Sequence, residues 1–158
     1  MYEYRCKVDR VIDGDTVDID IDLGFGVWLK GERVRLYGID TPESRTSDKV
    51  EKIYGLEAKK YVQNFLDDEW IMLKTKEYDA KGKFGRILGE LWRTSSYADK
   101  SLNEYMIEKH HAVPYYGQSK DDVQNEHLEN RKYIEAYMPN KNTISGIHDN
   151  KWYSFVLQ

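Results

Sequence analysis

Cysteine is nearly missing from this chain. Its single copy, Cys6 in 158 residues, cannot close an internal disulfide or build a thiolate metal cluster. It reads as a small, partly buried strand residue. Prolines number three, and each marks a boundary: Pro42 stiffens a turn, Pro114 breaks the chain after a helix, and Pro139 ends another. No apolar run approaches membrane-spanning length, and residues 1–6 lack the apolar core of a signal peptide. We therefore expect no membrane association and a cytoplasmic location for the chain as given, a secreted form requiring a leader outside it. An excess of basic charge is also lacking. The net charge of −4 argues against a broad polyelectrolyte-binding face. It leaves nucleic acid open as a substrate, because a metal and two arginines can act locally.

What is present suits one globular domain. Hydrophobic residues make up 40% and charged residues 33%, enough for a modest core under a wet surface. Residues 4–12 read as a strand that ends at the turn signal Asp13-Gly14-Asp15-Thr16. Val17, Ile19, Ile21 and Leu23 then alternate with Asp18, Asp20 and Asp22, a period-two strand with one apolar and one acidic face. A calcium loop starting at Asp18 fails, because Leu23 and Leu29 stand where an EF-hand needs glycine and glutamate. Solvated aspartates are the simpler account.

Glycines bracket Val27-Trp28-Leu29 as a connection before a strand from Arg33 to Ile39. Residues 44–52 read as a polar loop, and apolar spacing predicts a helix over about 55–66. Strand-like runs at 70–78 and 84–92, joined by a short glycine-containing loop, predict a hairpin. Ser101 with Glu104 forms a capping-box signature for a helix over 102–110. A last helix is expected over about 121–137. Strands first and helices inserted late imply an α+β domain, a small antiparallel β-barrel with helices packed on it.

The segment Val34 to Glu43 carries the densest chemistry. A strand runs into a turn and delivers Arg35, Asp40 and Glu43 to one place. Aspartate suits a hard cation, and Asp15 with Asp40 and a carbonyl such as that of Thr41 would leave sites for water and a phosphate oxygen. Arg35 and Arg86 suit phosphate, since guanidinium forks match its oxygens two at a time. Strand parity points Arg35 away from the apolar side that Val34 and Leu36 share. Glu43 suits a general base or a water-orienting group. Each signal alone has an ordinary explanation: a turn, a solvated strand arginine, a surface glutamate after proline. Their order carries the weight.

Val11-Ile12-Asp13-Gly14-Asp15-Thr16-Val17, then Arg35-Leu36 through Gly38-Ile39-Asp40-Thr41-Pro42-Glu43, then Phe84-Gly85-Arg86, resembles the staphylococcal nuclease-like (thermonuclease) family. The resemblance covers roughly the first three quarters of the chain. It implies a five-stranded OB-type barrel with about three helices, and calcium-dependent hydrolysis of DNA and RNA that leaves 3′-phosphate products. By motif it implies Asp15, Asp40 and the Thr41 carbonyl as ligands of one calcium ion, and Arg35, Glu43 and Arg86 as the catalytic set. Lys83 and Tyr115 match the family's substrate contacts more loosely. Gly117 falls where a second tyrosine is expected, which makes Tyr116 a competitor for that role. We expect the nuclease-like domain to span 1–140. Residues 141–158, with Trp152, Tyr153 and Phe155, form an extension packed on it.

Rival readings are weaker. A PD-(D/E)xK site from Asp40 with Glu57 and Lys59 needs a strand where the pattern is helical. His110, His111, His127 and His148 lack the spacing of a zinc set and read as surface or half-buried histidines. The strongest rival is a non-catalytic barrel that binds nucleic acid or protein. Such modules usually lose ligands or arginines, whereas this chain keeps all five side chains of the site. DNA and RNA are therefore expected as substrates of a monomer with no obligate protein partner.

Overall fold

A computed structural model describes residues 2–76, 85–94, 99–136 and 138. Lys83, the loop of the expected hairpin and the 141–158 extension lie outside the described residues.

Five strands close a barrel: β1 (Glu3–Asp13), β2 (Thr16–Gly24), β3 (Val27–Leu36), β5 (Ile71–Thr75) and β6 (Ile87–Arg93). Their order around the barrel is β1-β2-β3-β6-β5. Four pairings are antiparallel, as expected. The fifth, β3 with β6, is parallel, with Val34 opposite Ile87 and Arg35 opposite Leu88. Parallel neighbours need a long crossover, and here the chain makes it through α1 (Lys49–Phe65) and β5. The fold is thus the expected OB-type α+β barrel, mixed at one seam.

Alternation builds its interior. Val17, Ile19 and Ile21 from β2 meet Val34, Leu36, Ile71, Leu73 and Leu91, all essentially inaccessible. Ala58, Val62 and Phe65 of α1, with Leu102 and Met106 of α2 (Leu102–Glu108), cover the barrel. Cys6 is fully buried, more deeply than its expected place as a partly buried strand residue.

Several boundaries differ from those expected. Val27–Leu29 belongs to β3, because the chain already reverses at Phe25 and Gly26, where positive φ angles of 56° and 75° make the tight turn. The first helix begins at Lys49 because the Asp48 carboxylate accepts from the Val50 and Glu51 amides. The Ser101 cap on Glu104 N is present at 3.1 Å. The last helix, α3 (Lys120–Glu135), is capped by Ser119. The β2 aspartates are paired rather than merely solvated: Asp18 with Arg33 and Arg10, Asp20 with Lys30, and Asp22 with Arg5. Two short strands, β4 (Ile39–Asp40) and β7 (Val113–Pro114), form a separate antiparallel pair. Ile134 and Met138 pack on Ile53 and Tyr54, fixing α3 to α1.

A candidate phosphate-ester site on the barrel rim

The site assembles where turns meet strand ends. At the β1–β2 turn the Asp15 carbonyl accepts from Leu36 N at 2.8 Å, tying the turn to the end of β3. Gly14 is required by space: a Cβ there would lie 2.8 Å from Ala58 Cβ and 3.0 Å from Thr41 Oγ1. The acidic turn therefore rests directly on α1 and on the residue after Asp40. Thr41 itself is buried, and its hydroxyl has no hydrogen-bond partner among the described residues.

Arg35 leaves β3 on the face away from buried Val34 and Leu36, as strand parity requires. Its guanidinium lies 3.3 Å from Asp15 Oδ2 and 3.6 Å from Asp40 Oδ1, and it donates to the Leu36 carbonyl at 3.1 Å. Gly38, at φ 79°, turns the chain into β4, where Asp40 pairs with Val113. The buried Asn103 amide holds that turn by donating to the Tyr37 and Gly89 carbonyls at 2.9 and 3.2 Å. Arg86 follows Gly85 and immediately precedes β6, so the parallel seam brings it into the cleft that Arg35 also lines.

Glu43 is placed by another close approach. A Cβ on Gly55, in mid-helix, would run into the Glu43 carbonyl group and Ser44 N. The sequence pattern treats Gly55 as a helix start, whereas its function is to let this loop lie on α1. Desolvation, then the charges of Asp13, Asp15, Asp40 and Glu51, push the Glu43 carboxyl up to about 7. Glu43 keeps an exposed surface, so the acidic neighbours are the firmer part of that shift. Burial also raises Asp15, against the opposing pull of Arg35 and a hydrogen bond from Thr16.

Two hollows of about 630 and 620 Å³ share Arg35, Asp40, Glu43 and Arg86 as walls. Asp15 lines the smaller one. Tyr115 and Tyr116 both line the larger, together with Tyr37, which the sequence reading passed over. All five expected side chains of the site thus converge. His127, read from sequence as an ordinary histidine, is 5% exposed, and its Nε2 lies 2.8 Å from Asp40 Oδ2. The available signal was helical spacing: Lys120, Gln124 and His127 share one face of α3, and all three line the cleft.

The donors are hard oxygens, which suit calcium or magnesium rather than zinc. Among the described residues no three acidic, histidine or cysteine side chains form a complete ligand group. A cation here would share Asp15 and Asp40 with backbone, water or substrate oxygens. Guanidinium groups facing clustered carboxylates across an open cleft suit a phosphate ester held beside a hard cation.

The fold and this cleft define an OB-type α+β barrel with a carboxylate–arginine site on its rim. The chain belongs to the staphylococcal nuclease family: residues 33–142 match the family described as "Staphylococcal nuclease homologue". It is similar to the thermonuclease of Staphylococcus intermedius, 40% identical over 87 residues, covering 54% of this chain and 46% of the relative. The thermonuclease of Staphylococcus hyicus is 36% identical over 92 residues, covering 57% and 49%. The micrococcal nuclease of Shigella flexneri is 27% identical over 126 residues, covering 75% and 64%. The chain spans about half the length of the two thermonucleases. Among the described residues no helix is long and apolar enough to cross a membrane.

Proposed function

We propose that this protein is a calcium-dependent nuclease that hydrolyses phosphodiester bonds of DNA and RNA. One observation carries the reading: Asp15, Arg35, Asp40, Glu43 and Arg86, drawn from three separate parts of the chain, line one cleft. The relatives named thermonuclease and micrococcal nuclease support it. Residues 1–140 form the catalytic domain on this reading, with 141–158 as an extension. Because every side chain of the site comes from one chain, a monomer suffices.

The substrate phosphate lies between Arg35 and Arg86. Their guanidinium groups stay charged as negative charge builds on the phosphoryl oxygens. The ion pairs of Arg35 with Asp15 and Asp40, at 3.3 and 3.6 Å, are long enough to exchange for phosphate. Glu43 orients a water and takes its proton. The water oxygen forms a bond to phosphorus, the bond to the 5′-oxygen breaks, and a proton passes to that oxygen. The products are a 3′-phosphate and a 5′-hydroxyl. Calcium, held by Asp15, Asp40 and the Thr41 carbonyl, would polarise the phosphoryl oxygen. Tyr115 and Tyr116, with Lys83, would contact the nucleotide.

Incubating the protein with single- and double-stranded DNA and RNA, with calcium or with chelator, tests this reading. Calcium-dependent cleavage is expected, lost on chelation and restored by calcium. Binding without cleavage in any condition would establish a non-catalytic module instead. Full restoration by magnesium but not by calcium would overturn the metal assignment.

A further inference from the structure

We propose that His127 is a positioning residue that holds the Asp40 carboxylate in the orientation needed to bind calcium. The inference rests on the calcium-dependent reading above and extends the site onto α3. An ionised carboxylate only accepts hydrogen bonds, so the 2.8 Å contact with Asp40 Oδ2 requires the proton on His127 Nε2. The other ring nitrogen, Nδ1, is buried with no partner among the described residues. The imidazole thus spends its one well-made hydrogen bond on Asp40.

Asp40 needs that hold. It lies in a two-residue strand whose sole ladder partner among the described residues is the equally short β7, and its side chain remains 29% exposed. Among the described residues the opposite oxygen, Oδ1, has the longer 3.6 Å contact with Arg35, a group that substrate phosphate would recruit. Once Arg35 turns to phosphate, the His127 bond remains to fix the carboxylate. One hydrogen bond uses one of the two lone pairs on Oδ2, leaving the other oxygen free for a cation.

The helix carrying His127 is firmly seated. Ile134 packs against Ile53 and Tyr54, the Tyr54 hydroxyl donates to Glu135 at 2.7 Å, and Asn130 donates to the Ala112 carbonyl at 3.1 Å. Partners that orient metal ligands in this way typically contribute 10- to 100-fold in metal affinity.

His127→Ala and His127→Gln test the assignment, since the glutamine amide can still donate to Asp40. Calcium affinity is read by isothermal titration calorimetry, beside the melting temperature of the calcium-free protein and kcat and KM on single-stranded DNA. His127→Ala should weaken calcium binding about 10- to 100-fold, and His127→Gln should recover most of it. Calcium affinity within twofold of the parent in a folded His127→Ala would overturn the role. If His127→Ala does not fold, a folded His127→Gln that binds calcium no better than Asp40→Ala would do the same. A melting temperature that falls with unchanged calcium affinity would leave His127 as mere packing. A parent protein that binds no calcium would instead overturn the metal in the proposed function.

Discussion

At the scale of single residues, the cleft separates groups that do chemistry from groups that hold them. Glu43 combines an exposed carboxylate with four acidic neighbours, and Asp40 stands between Arg35 and His127. On the function proposed above, Glu43→Gln keeps the shape and removes the proposed base, so cleavage should fall by about 10²- to 10⁴-fold. Asp40→Ala should likewise remove most cleavage, with both variants melting cooperatively; near-parental turnover in either purified protein would refute the assignment. A different residue weakens the fold in acid. Burial, then the neighbouring charge of His110, lowers the His111 imidazole to about 4 from its usual 6.5. Its ring lies against Tyr61 at 5.1 Å, and its Nδ1 has no partner among the described residues. The unfolded chain takes the proton first. The His111 contribution to stability is therefore full above about pH 6.5 and lost as pH falls towards 4, by up to about 3 kcal/mol. The raised Glu43 carboxyl acts with the opposite sign in the same window. The His111 contribution is thus read as the difference between parent and His111→Gln in thermal melts from pH 7.5 to 4.5, and the parent's advantage should shrink as pH falls. Residues such as Arg35, Asp40 and Glu43 were legible in the sequence because they share one short segment. His127 was not, because its partner lies 87 positions away and only the docking of α3 joins them.

Secondary elements were legible to the extent that their signals are local. The alternation in β2 and the Ser101–Glu104 cap marked elements that the structure contains. The start of α1 was misplaced because one side chain, Asp48, extends the helix back over polar residues that carry no apolar rhythm. The β4–β7 pair was invisible, since two-residue strands have no periodicity to read. Glycine meant something different at this scale as well. Gly55 looks like punctuation, yet it lies inside α1 because the Glu43–Ser44 backbone leaves no room for a side chain. Alanine normally favours a helix interior by roughly 0.5–1 kcal/mol over glycine. Here Gly55→Ala should instead destabilise by about 1–3 kcal/mol, the range for overpacking. It should also lower cleavage by displacing Glu43. Urea unfolding and a cleavage assay on the same preparation measure both, and a stabilised, fully active variant would contradict the packing.

For the molecule as a whole, the ordered motifs gave the barrel and its helices, and the parallel seam was the part they did not give. Sequence patterns identify strands but not their neighbours, and β6 reaches β3 only by way of the crossover through α1 and β5. The core along that seam should be sensitive. Leu91 is fully buried on β6, opposite Leu73 of β5. Leu91→Ala should cost about 2–5 kcal/mol with an unchanged denaturant slope, measured by urea titration. The seam also has a consequence in time. Contacts between distant segments must await loop closure, and Arg35 meets Arg86 only when β6 has docked beside β3. A growing chain that has left the ribosome as far as Glu43 already contains Asp15, Arg35, Asp40 and Glu43, yet has neither Arg86 nor the helix behind Asp40. On the function proposed here, the clamp is completed only after most of the domain has been made, so a nascent chain carries the carboxylates of the site before it carries both arginines.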